Sequence, residues 1–309
     1  MDIISFIDNN SSDKSFSLIK KYCARKKNVR LLTCEIQGPS ATRNVGLREA
    51  KGEYLTFLDV DDEILPNKFH CLLKAFKKYP SAVMVFGKIK KIYDDGRVIQ
   101  SNYDELINGL NTSPEAGLLW LKQFQFNPHL NSIMVKKKHF NKEIKFPENL
   151  FFGEDIAFNV LIGLSNDVVK IDEIVAIYKR HSRSTLSQAN KILLLEERFL
   201  QFYENFSIPY FFKHCSQDIF KFSLEISKNI AFRLREKLLL HNMSNNKKVY
   251  LSTTYIYNSY KYYFFNQLFK IFPYRLIIYI YDFYGSIIEK RLRKKLKLYK
   301  SVNRKINVF

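Results

Sequence analysis

Three carboxylates follow directly after an apolar run, and their types and spacing suit metal and phosphate chemistry. Tyr54–Leu58 has the composition of a buried strand, and Asp59, Asp61 and Asp62 come at its carboxyl end. Open α/β sheets bind their ligands at the carboxyl ends of strands, and on an extended chain Asp59 and Asp61 project to the same side. Such a pair suits Mg²⁺ or Mn²⁺ held jointly with a substrate diphosphate. An Asp-rich turn that caps the next helix is the other interpretation.

Two further groups of polar residues open predicted helices. Glu154 and Asp155 begin a helix over Phe151–Leu164, where a carboxylate in a partly enclosed site can act as a general base. Acidic residues at a helix N-terminus are also favoured simply by the helix dipole. Arg43 and Asn44 open an earlier helix. The arginine fork suits the base or phosphates of a nucleotide, although a surface salt bridge uses it equally well.

Three segments, in this order along the chain, resemble the motifs of the family 2 glycosyltransferases. Gly38–Asp62 follows the family pattern almost without interruption, Phe152–Phe158 resembles its Glu-Asp segment, and Tyr178–Ser187 resembles its closing strand rich in Tyr, Arg and Ser. The resemblance covers about residues 1 to 190. Because the motifs occur in the order of the family, they are far more specific than a lone D-x-D.

The resemblance implies transfer of a sugar from a nucleotide-diphosphate donor, expected to be a UDP-sugar, to a glycan or lipid-linked acceptor. The implied reaction is an inverting displacement in the synthesis of a surface polysaccharide or lipo-oligosaccharide, with Mn²⁺ or Mg²⁺ as cofactor. Asp61 is the implied direct metal ligand, with Asp59 toward the ribose or a metal-bound water. His181 is a further candidate metal ligand, although an exposed histidine fits as well. Asp155 is the implied base, with Glu154 beside it.

Residues that would contact the nucleotide-sugar are also implied by the resemblance. They lie in the first turn, at the start of the second helix, in the acidic segment Asp59–Asp62 (the acidic tip) and after the closing strand. They are Asp8, Arg43, Asn44, Asp59 and Arg180. In relatives the acid at the position of Asp8 reads the uracil edge. Asp8 to Ser11 replaces the D-D-G-S turn of the family. Asn10 stands there in place of glycine, and asparagine tolerates left-handed backbone better than most residues.

Alternating strand and helix patterns predict an α/β fold for the first part of the chain. Strands are expected at Ile3–Ile7, Val29–Thr33, Ala82–Gly87 and Ser132–Val135, with Trp120 in the core. The resemblance implies the GT-A (Rossmann-like) fold, a mixed and mostly parallel sheet flanked by helices. The chain begins at what resembles the second strand of the family, so we expect the usual first strand to be lacking. A catalytically inactive homologue that only docks on membrane or partner enzymes is therefore the alternative function.

From about Lys191 the pattern becomes helical, aromatic and basic, so we predict a glycosyltransferase domain over 1–190 and a helical region over 191–309. An apolar stripe over Leu276–Ile288 and a basic run over Lys290–Lys297 predict an amphipathic helix on an anionic membrane surface. The stripe would otherwise pack on the catalytic domain. No uncharged stretch approaches the roughly 20 residues of a spanning helix. We therefore expect a cytoplasmic protein, peripheral at the inner face of the cell membrane.

The composition agrees with an anionic ligand. The formal net charge is +20, which favours nucleotide-sugars, anionic lipid or nucleic acid. No RNP, KH or helix-turn-helix pattern accompanies the charge, so nucleic acid is not an expected partner. The four cysteines are scattered without C-x-x-C or disulfide-like spacing, which is typical of a reducing compartment.

Overall fold

The computed structural model describes residues 3–101, 103, 105–139, 144–150, 152–180 and 194–244. The strands are β1 (Ile4–Asp8), β2 (Val29–Thr33), β3 (Tyr54–Leu55), β4 (Glu63–Ile64), β5 (Met84–Tyr93), β6 (Val98–Gln100), β7 (Gly109–Asn111), β8 (Ile133–Lys136) and β9 (Val168–Arg180). The α-helices are α1 (Ser15–Cys23), α2 (Pro39–Glu49), α3 (Lys68–Lys78), α4 (Glu115–Lys122), α5 (Glu154–Ser165), α6 (Leu195–Phe202), α7 (Ile208–Lys213) and α8 (Asp218–Ser244). Strands and helices thus mix up to β9, and in the residues described after it, 194–244, helices alone occur.

The strands form two separate sheets. β1 and β2 pair in parallel, from Ile4 opposite Val29 to Asp8 opposite Thr33. The second sheet has seven strands, with β3-β8-β5-β9-β4 in order, β6 on β5 and β7 on β9. Among the described strands, parallel pairing is confined to β1–β2 and β5–β9. The predicted mixed sheet flanked by helices is confirmed, with more antiparallel pairing than the sequence suggested.

The strand before the acidic residues is shorter than the predicted run Tyr54–Leu58. Only Tyr54–Leu55 pairs, with β8 on one side. Within the described residues β3 has no strand on its other side, and β1 pairs with β2 alone. A run without neighbouring strands lacks the hydrogen bonds that would extend it. α2 packs against both sheets. Gly46 lies close to Ile7 of the first sheet, and Leu47 packs on the main core, the large buried cluster that contains Phe86 of the second sheet.

Alternation along β5 explains why the larger sheet is covered on both faces. Met84 and Phe86 pack into the main core with α4 and α5, whereas Val85 packs with Leu72 and Phe76 of α3. Successive side chains of a strand point to opposite faces. A continuous apolar run such as this one therefore needs helices on both sides.

Two glycines allow α4 and α5 to cross in close contact. A Cβ on Gly117 would lie 2.3 Å from the backbone nitrogen of Leu164, and a Cβ on Gly163 would lie 2.6 Å from the backbone nitrogen of Gly117. Only residues without a side chain permit such an approach. Trp120 is fully buried beside Gly163, in the core as predicted. α5 is thereby held on the core, and its first turn carries the Glu-Asp pair.

The described helices after β9 share the main core with the sheet. Phe202, Tyr203 and Phe206 are buried in the same cluster as Trp120 and Phe158. The predicted boundary near residue 190 stays a prediction, and the apolar stripe and basic run predicted to meet a membrane lie outside the described residues. Within the described part of the chain, none of the helices combines the length and the apolar composition needed to cross a bilayer.

Lys68, at the start of α3, predicts how stability depends on pH. Its side chain is fully buried, Nζ donates to Thr56 Oγ1 at 2.6 Å, and burial lowers its pKa from 10.5 to about 7. Between these two pH values the unfolded chain binds more protons than the folded one. The free energy of unfolding should therefore rise with pH through this window, by at most about 1.4 kcal/mol per pH unit.

Urea unfolding of the protein and of Lys68→Met at about pH 7 and about pH 9 measures this effect. Because methionine has no charge to bury, we expect the variant to be the more stable protein at pH 7. Its advantage should shrink at the higher pH. A difference in unfolding free energy that stays constant between the two conditions would contradict the assignment.

Candidate active site

Arg43, on α2, joins two of the predicted acidic segments. Nη1 donates to Glu154 Oε1 at 2.8 Å, and Nη2 lies 3.1 Å from both carboxylate oxygens of Asp59. The Cζ atom stands 5.6 Å from the centre of the Phe146 ring. The guanidinium fork can serve two carboxylates because its donors diverge in one plane. The structure thus brings α2, the acidic tip after β3 and the first turn of α5 to one place.

Burial and neighbouring charges set the protonation of this group. Burial raises the pKa of Glu154, and the charge of Asp155 adds to that rise. Burial likewise raises the pKa of Asp155, although Arg43 and the backbone N–H of Ile156 oppose it. Burial alone would lower the pKa of Arg43, but Asp59 and Glu154 raise it above its ordinary value. Asp155 is therefore a more basic carboxylate than one in water, which suits a proton acceptor.

The acidic tip is a turn, so the extended geometry expected for Asp59 and Asp61 is wrong. The backbone N–H of Asp62 donates to the carbonyl of Asp59 at 3.1 Å, which closes the turn. Asp59 is half-buried on Arg43, whereas Asp61 is exposed beside a fully exposed Val60. The turn forms because Tyr54–Leu55 ends the strand pairing several residues earlier. The two carboxylates therefore have different surroundings.

Asp62 fastens this turn to the protein. Its Oδ1 accepts from the backbone N–H of Lys179 at 3.1 Å, and its Oδ2 accepts from Asn131 Nδ2 at 2.9 Å. Burial and the charges of Asp59 and Asp61 together raise the pKa of Asp62 to about 7, although the hydrogen bonds from Lys179 and Asn131 oppose the rise. The third aspartate of the motif is thus an anchor between the acidic tip and β9.

The first turn is bound to the segment that leads into α2. Asn9 Nδ2 donates to the carbonyls of Cys34 and Ile36, and Asn9 Oδ1 accepts from the backbone N–H of Gly38. Asn10 has φ 57°, so it adopts the left-handed conformation predicted for it. Asp8 Oδ1 is buried and, within the described residues, accepts no hydrogen bond. A buried acceptor of this kind is ready for a ligand N–H group.

Two other predicted residues, Asn44 and Arg180, make contacts with partners other than Arg43, Asp59 and Glu154. The side-chain amide of Asn44 donates to the Phe146 carbonyl and to Glu148, each at 2.8 Å, so it anchors the loop that contains these two residues. Arg180 ends β9 and lies over the Tyr93 ring at 5.5 Å. His181 lies outside the described residues. The nucleotide or metal contacts of these three residues stay predictions.

Sequence reasoning missed His129 and Asn131, and it did not assign a role to Tyr178. His129 stacks on Tyr178 with ring centres 4.5 Å apart, and its Nδ1 lies 2.7 Å from Asn131 Oδ1. Burial raises the pKa of Tyr178, and the charges of Asp62, Asp61 and Asp155 raise it too. Tyr178 precedes Lys179, whose backbone N–H binds Asp62, so the tyrosine lies beside the acidic turn. Its place in a Tyr/Arg-rich motif was a usable signal, whereas nothing in the sequence marks His129.

The carboxylates of the acidic tip suit a metal site that includes the substrate. Within the described part of the chain, His, Cys, Asp and Glu side chains form no cluster of three or more that could hold a metal ion. Asp61 and Asp59 nevertheless fit a cation that takes one or two carboxylates and draws its other ligands from substrate phosphates and water, as Mg²⁺ often does. The donor set thus suits a site that the substrate completes.

Comparison with known proteins finds a family model that matches the first part of the chain. Residues 3–140 match the family model described as glycosyl transferase family 2. An uncharacterized glycosyltransferase of Rickettsia bellii is 26% identical over 170 residues, which cover 53% of this chain and 23% of that protein. The minor teichoic acid biosynthesis protein GgaB of Bacillus subtilis is 28% identical over 150 residues, covering 48% of this chain and 16% of GgaB. The chain spans about a quarter of the length of the rickettsial relatives.

The fold has a solved counterpart. The crystal structure of S. aureus TarS 1-349 in complex with UDP-GlcNAc superposes with a TM-score of 0.50 at 19% identity, covering 67% of this chain and 56% of that one. This likeness and the mixed sheet show a glycosyltransferase fold of the GT-A type. Residues 3–140 match the model of family 2 glycosyltransferases, so the resemblance of the motifs is confirmed.

The Arg43 bridge predicts a large and specific loss of stability. Arg43→Met leaves the largely buried Glu154 carboxylate without its cation, which typically costs about 3–5 kcal/mol of unfolding free energy. Arg48→Met is the matched control on the same helix, because Arg48 pairs with Glu49 at the surface and such pairs contribute about 1 kcal/mol or less. Urea unfolding of both variants at neutral pH measures the difference.

Adding Glu154→Gln tests whether the loss comes from this contact. In a double-mutant cycle, Arg43→Met with Glu154→Gln should cost less than the sum of the single changes, because the second change removes the stranded charge. Additive losses would show that Arg43 stabilises the fold by some other contact.

Proposed function

We propose that this protein transfers a sugar from a UDP-sugar to a hydroxyl group of a glycan or lipid-linked acceptor, with inversion at the sugar carbon. The observation that carries the proposal is the convergence of Asp59, Arg43 and the Glu154–Asp155 pair in one polar site of a family 2 domain. Diphosphate binding and proton removal are the two tasks that such a reaction needs, and the site holds residues for each.

Asp61 and Asp59 would hold Mn²⁺ or Mg²⁺ together with the oxygens of the diphosphate. When bound, such a cation neutralises the charge that develops on the leaving diphosphate. Arg43 keeps Asp59 in position through its two contacts at 3.1 Å. Asp61, which is exposed on the turn, is the better direct ligand because it can reach a substrate without leaving a buried place.

Asp155 would serve as the base. The acceptor hydroxyl gives its proton to the Asp155 carboxylate, and its oxygen forms a bond to C1 of the sugar. The bond from C1 to the diphosphate oxygen breaks, and UDP leaves with the electron pair. Burial raises the pKa of Asp155, which makes it a stronger proton acceptor. Glu154 holds Arg43 at 2.8 Å and keeps the site together.

The uracil would bind at the first turn. Asp8 Oδ1 is a buried acceptor that the described residues leave without a donor, and the imide N–H of uracil is a donor that fits it. The contact of Asn9 with Gly38 connects this turn to the start of α2, which carries Arg43 one turn later. Arg180 and Asn44 are further candidate residues for binding the nucleotide-sugar. His181 is a further candidate metal ligand.

The acceptor would be a polymer or lipid-linked glycan of the cell surface, met at the inner face of the cell membrane. The net charge of +20 favours an anionic surface or acceptor. The similarity to GgaB, a minor teichoic acid biosynthesis protein, supports a role in surface polymers. Residues 276–297 are the segment proposed to touch the membrane.

Calorimetry of UDP binding tests the proposal. We expect UDP to bind more tightly with Mn²⁺ than with EDTA. Asp61→Ala should lower the affinity in Mn²⁺ by at least about 10- to 100-fold, because loss of a residue that merely supports a metal ligand already costs that much. In EDTA, the variant and the unchanged protein should bind UDP equally, because the carboxylate then has no cation to hold.

Asp95→Ala is the matched control, because Asp95 lies in an exposed hairpin turn where it pairs with Arg97. Its UDP affinity should equal that of the unchanged protein. The proposal fails if UDP does not bind, and the metal assignment fails if Asp61→Ala binds UDP in Mn²⁺ as tightly as the unchanged protein does.

A further inference from the structure

Asn131 has a fixed orientation behind the acidic turn. It is 1% exposed, and its Nδ2 donates to Asp62 Oδ2 at 2.9 Å and to the carbonyl of Ile177 at 3.3 Å. A backbone carbonyl only accepts hydrogen bonds, so the NH₂ group of the amide must face Ile177 and Asp62. The amide oxygen of Asn131 therefore faces the other way, toward His129.

This orientation determines the tautomer of His129. Its Nδ1 lies 2.7 Å from Asn131 Oδ1, which can only accept, and 3.4 Å from the backbone nitrogen of Asn131, which would donate to it. The contact with the oxygen is much the shorter and needs a proton between the two atoms, so we assign the proton to Nδ1. Burial lowers the pKa of His129, so the ring is neutral at neutral pH. A neutral imidazole carries one proton, and Nε2 is therefore a hydrogen-bond acceptor.

The ring of His129 lies beside the acidic turn. Its Nδ1 stands 3.9 Å from Asp62 Oδ2, and the ring packs on Tyr178, the residue before Lys179, whose backbone N–H binds Asp62. The His129 side chain is 23% exposed, and the Nδ1 edge faces buried Asn131, so the exposed part lies on the rest of the ring with Nε2. The acceptor nitrogen is thus next to the turn that carries Asp59 and Asp61, the residues proposed for the diphosphate.

We infer that His129 Nε2 accepts a hydrogen bond from a hydroxyl group of the transferred sugar, and that it contributes to the choice of donor. The inference rests on the proposed function, because a sugar whose diphosphate is held at the acidic turn would come next to this ring. A neutral acceptor on a buried, hydrogen-bonded ring selects for a donor hydroxyl, because a sugar without it leaves the nitrogen unpaired. Asn131 is the positioning residue, since it holds the ring and sets its tautomer.

His129→Asn separates the two hydrogen bonds of the ring. The shorter amide can still donate to Asn131 Oδ1 from near the position of Nδ1, but it has nothing at the position of Nε2. His129→Gln is the matched variant, because its longer amide can place an oxygen near the position of Nε2. Calorimetry with UDP, UDP-glucose and UDP-GlcNAc in Mn²⁺ then measures the contribution of the sugar separately from that of the nucleotide.

We expect the unchanged protein to bind at least one of the UDP-sugars more tightly than UDP. His129→Asn should lower the affinity for that UDP-sugar by about 3- to 10-fold, the usual effect of one hydrogen bond, and leave UDP affinity within about twofold. His129→Gln should recover part of the loss. Equal losses for UDP and the UDP-sugar, an unchanged UDP-sugar affinity in His129→Asn, or a UDP-sugar bound no more tightly than UDP would each overturn the inference. Absence of UDP binding would instead overturn the proposed function on which it rests.

Nitrogen NMR of the unchanged protein gives an answer even if the variants do not fold. The Nε2 resonance of His129 should be that of a nitrogen without a proton, and it should shift when the UDP-sugar is added but not when UDP is added. A proton on Nε2, or the same response to both ligands, would overturn the inference.

Discussion

The site depends on one arginine whose positive charge interacts with several carboxylates. Arg43 contacts Asp59 and Glu154 directly, and its charge also opposes the rise in the pKa of Asp155. Without it, three acidic groups would share a partly buried place and would protonate rather than stay charged. Because the cation comes from α2 and the acids come from the tip after β3 and from α5, the same interaction that balances charge also assembles the elements. One positive charge against three acids still leaves the group acidic, which suits a ligand that brings a divalent cation.

Within the acidic tip, one aspartate anchors the turn and another is exposed to solvent. Asp62 is tied to β9 and to Asn131, whereas Asp61 and Val60 are exposed on the turn. A turn with one buried anchor keeps its exposed carboxylate in a defined position without burying it. Such an arrangement fits a site whose remaining ligands arrive with the substrate. It also separates three aspartates of one motif into three environments, which their spacing in the sequence does not reveal.

Local patterns predicted the elements better than the contacts between them. The strand Val29–Thr33 and the helix that opens at Glu154 occur where the sequence placed them, because apolar runs and helix starts are local properties. The left-handed Asn10 was predictable for the same reason. The meeting of His129 with the acidic tip was not, because it requires β4 to pair with β9 and the chain before β8 to turn beside them. Asn44 shows the same limit, since its helix was predicted but the loop that its amide contacts was not.

The packing of α6 against the start of α5 has a practical consequence for anyone who expresses this protein. A Cβ on Gly153 would lie 3.0 Å from the ring of Phe202, and Phe199 packs on Phe124 and Phe152. A fragment trimmed to the matched family region would omit the Glu-Asp pair, and one trimmed near residue 190 would expose this aromatic layer to water. Soluble, active material therefore calls for a chain that continues at least through α8.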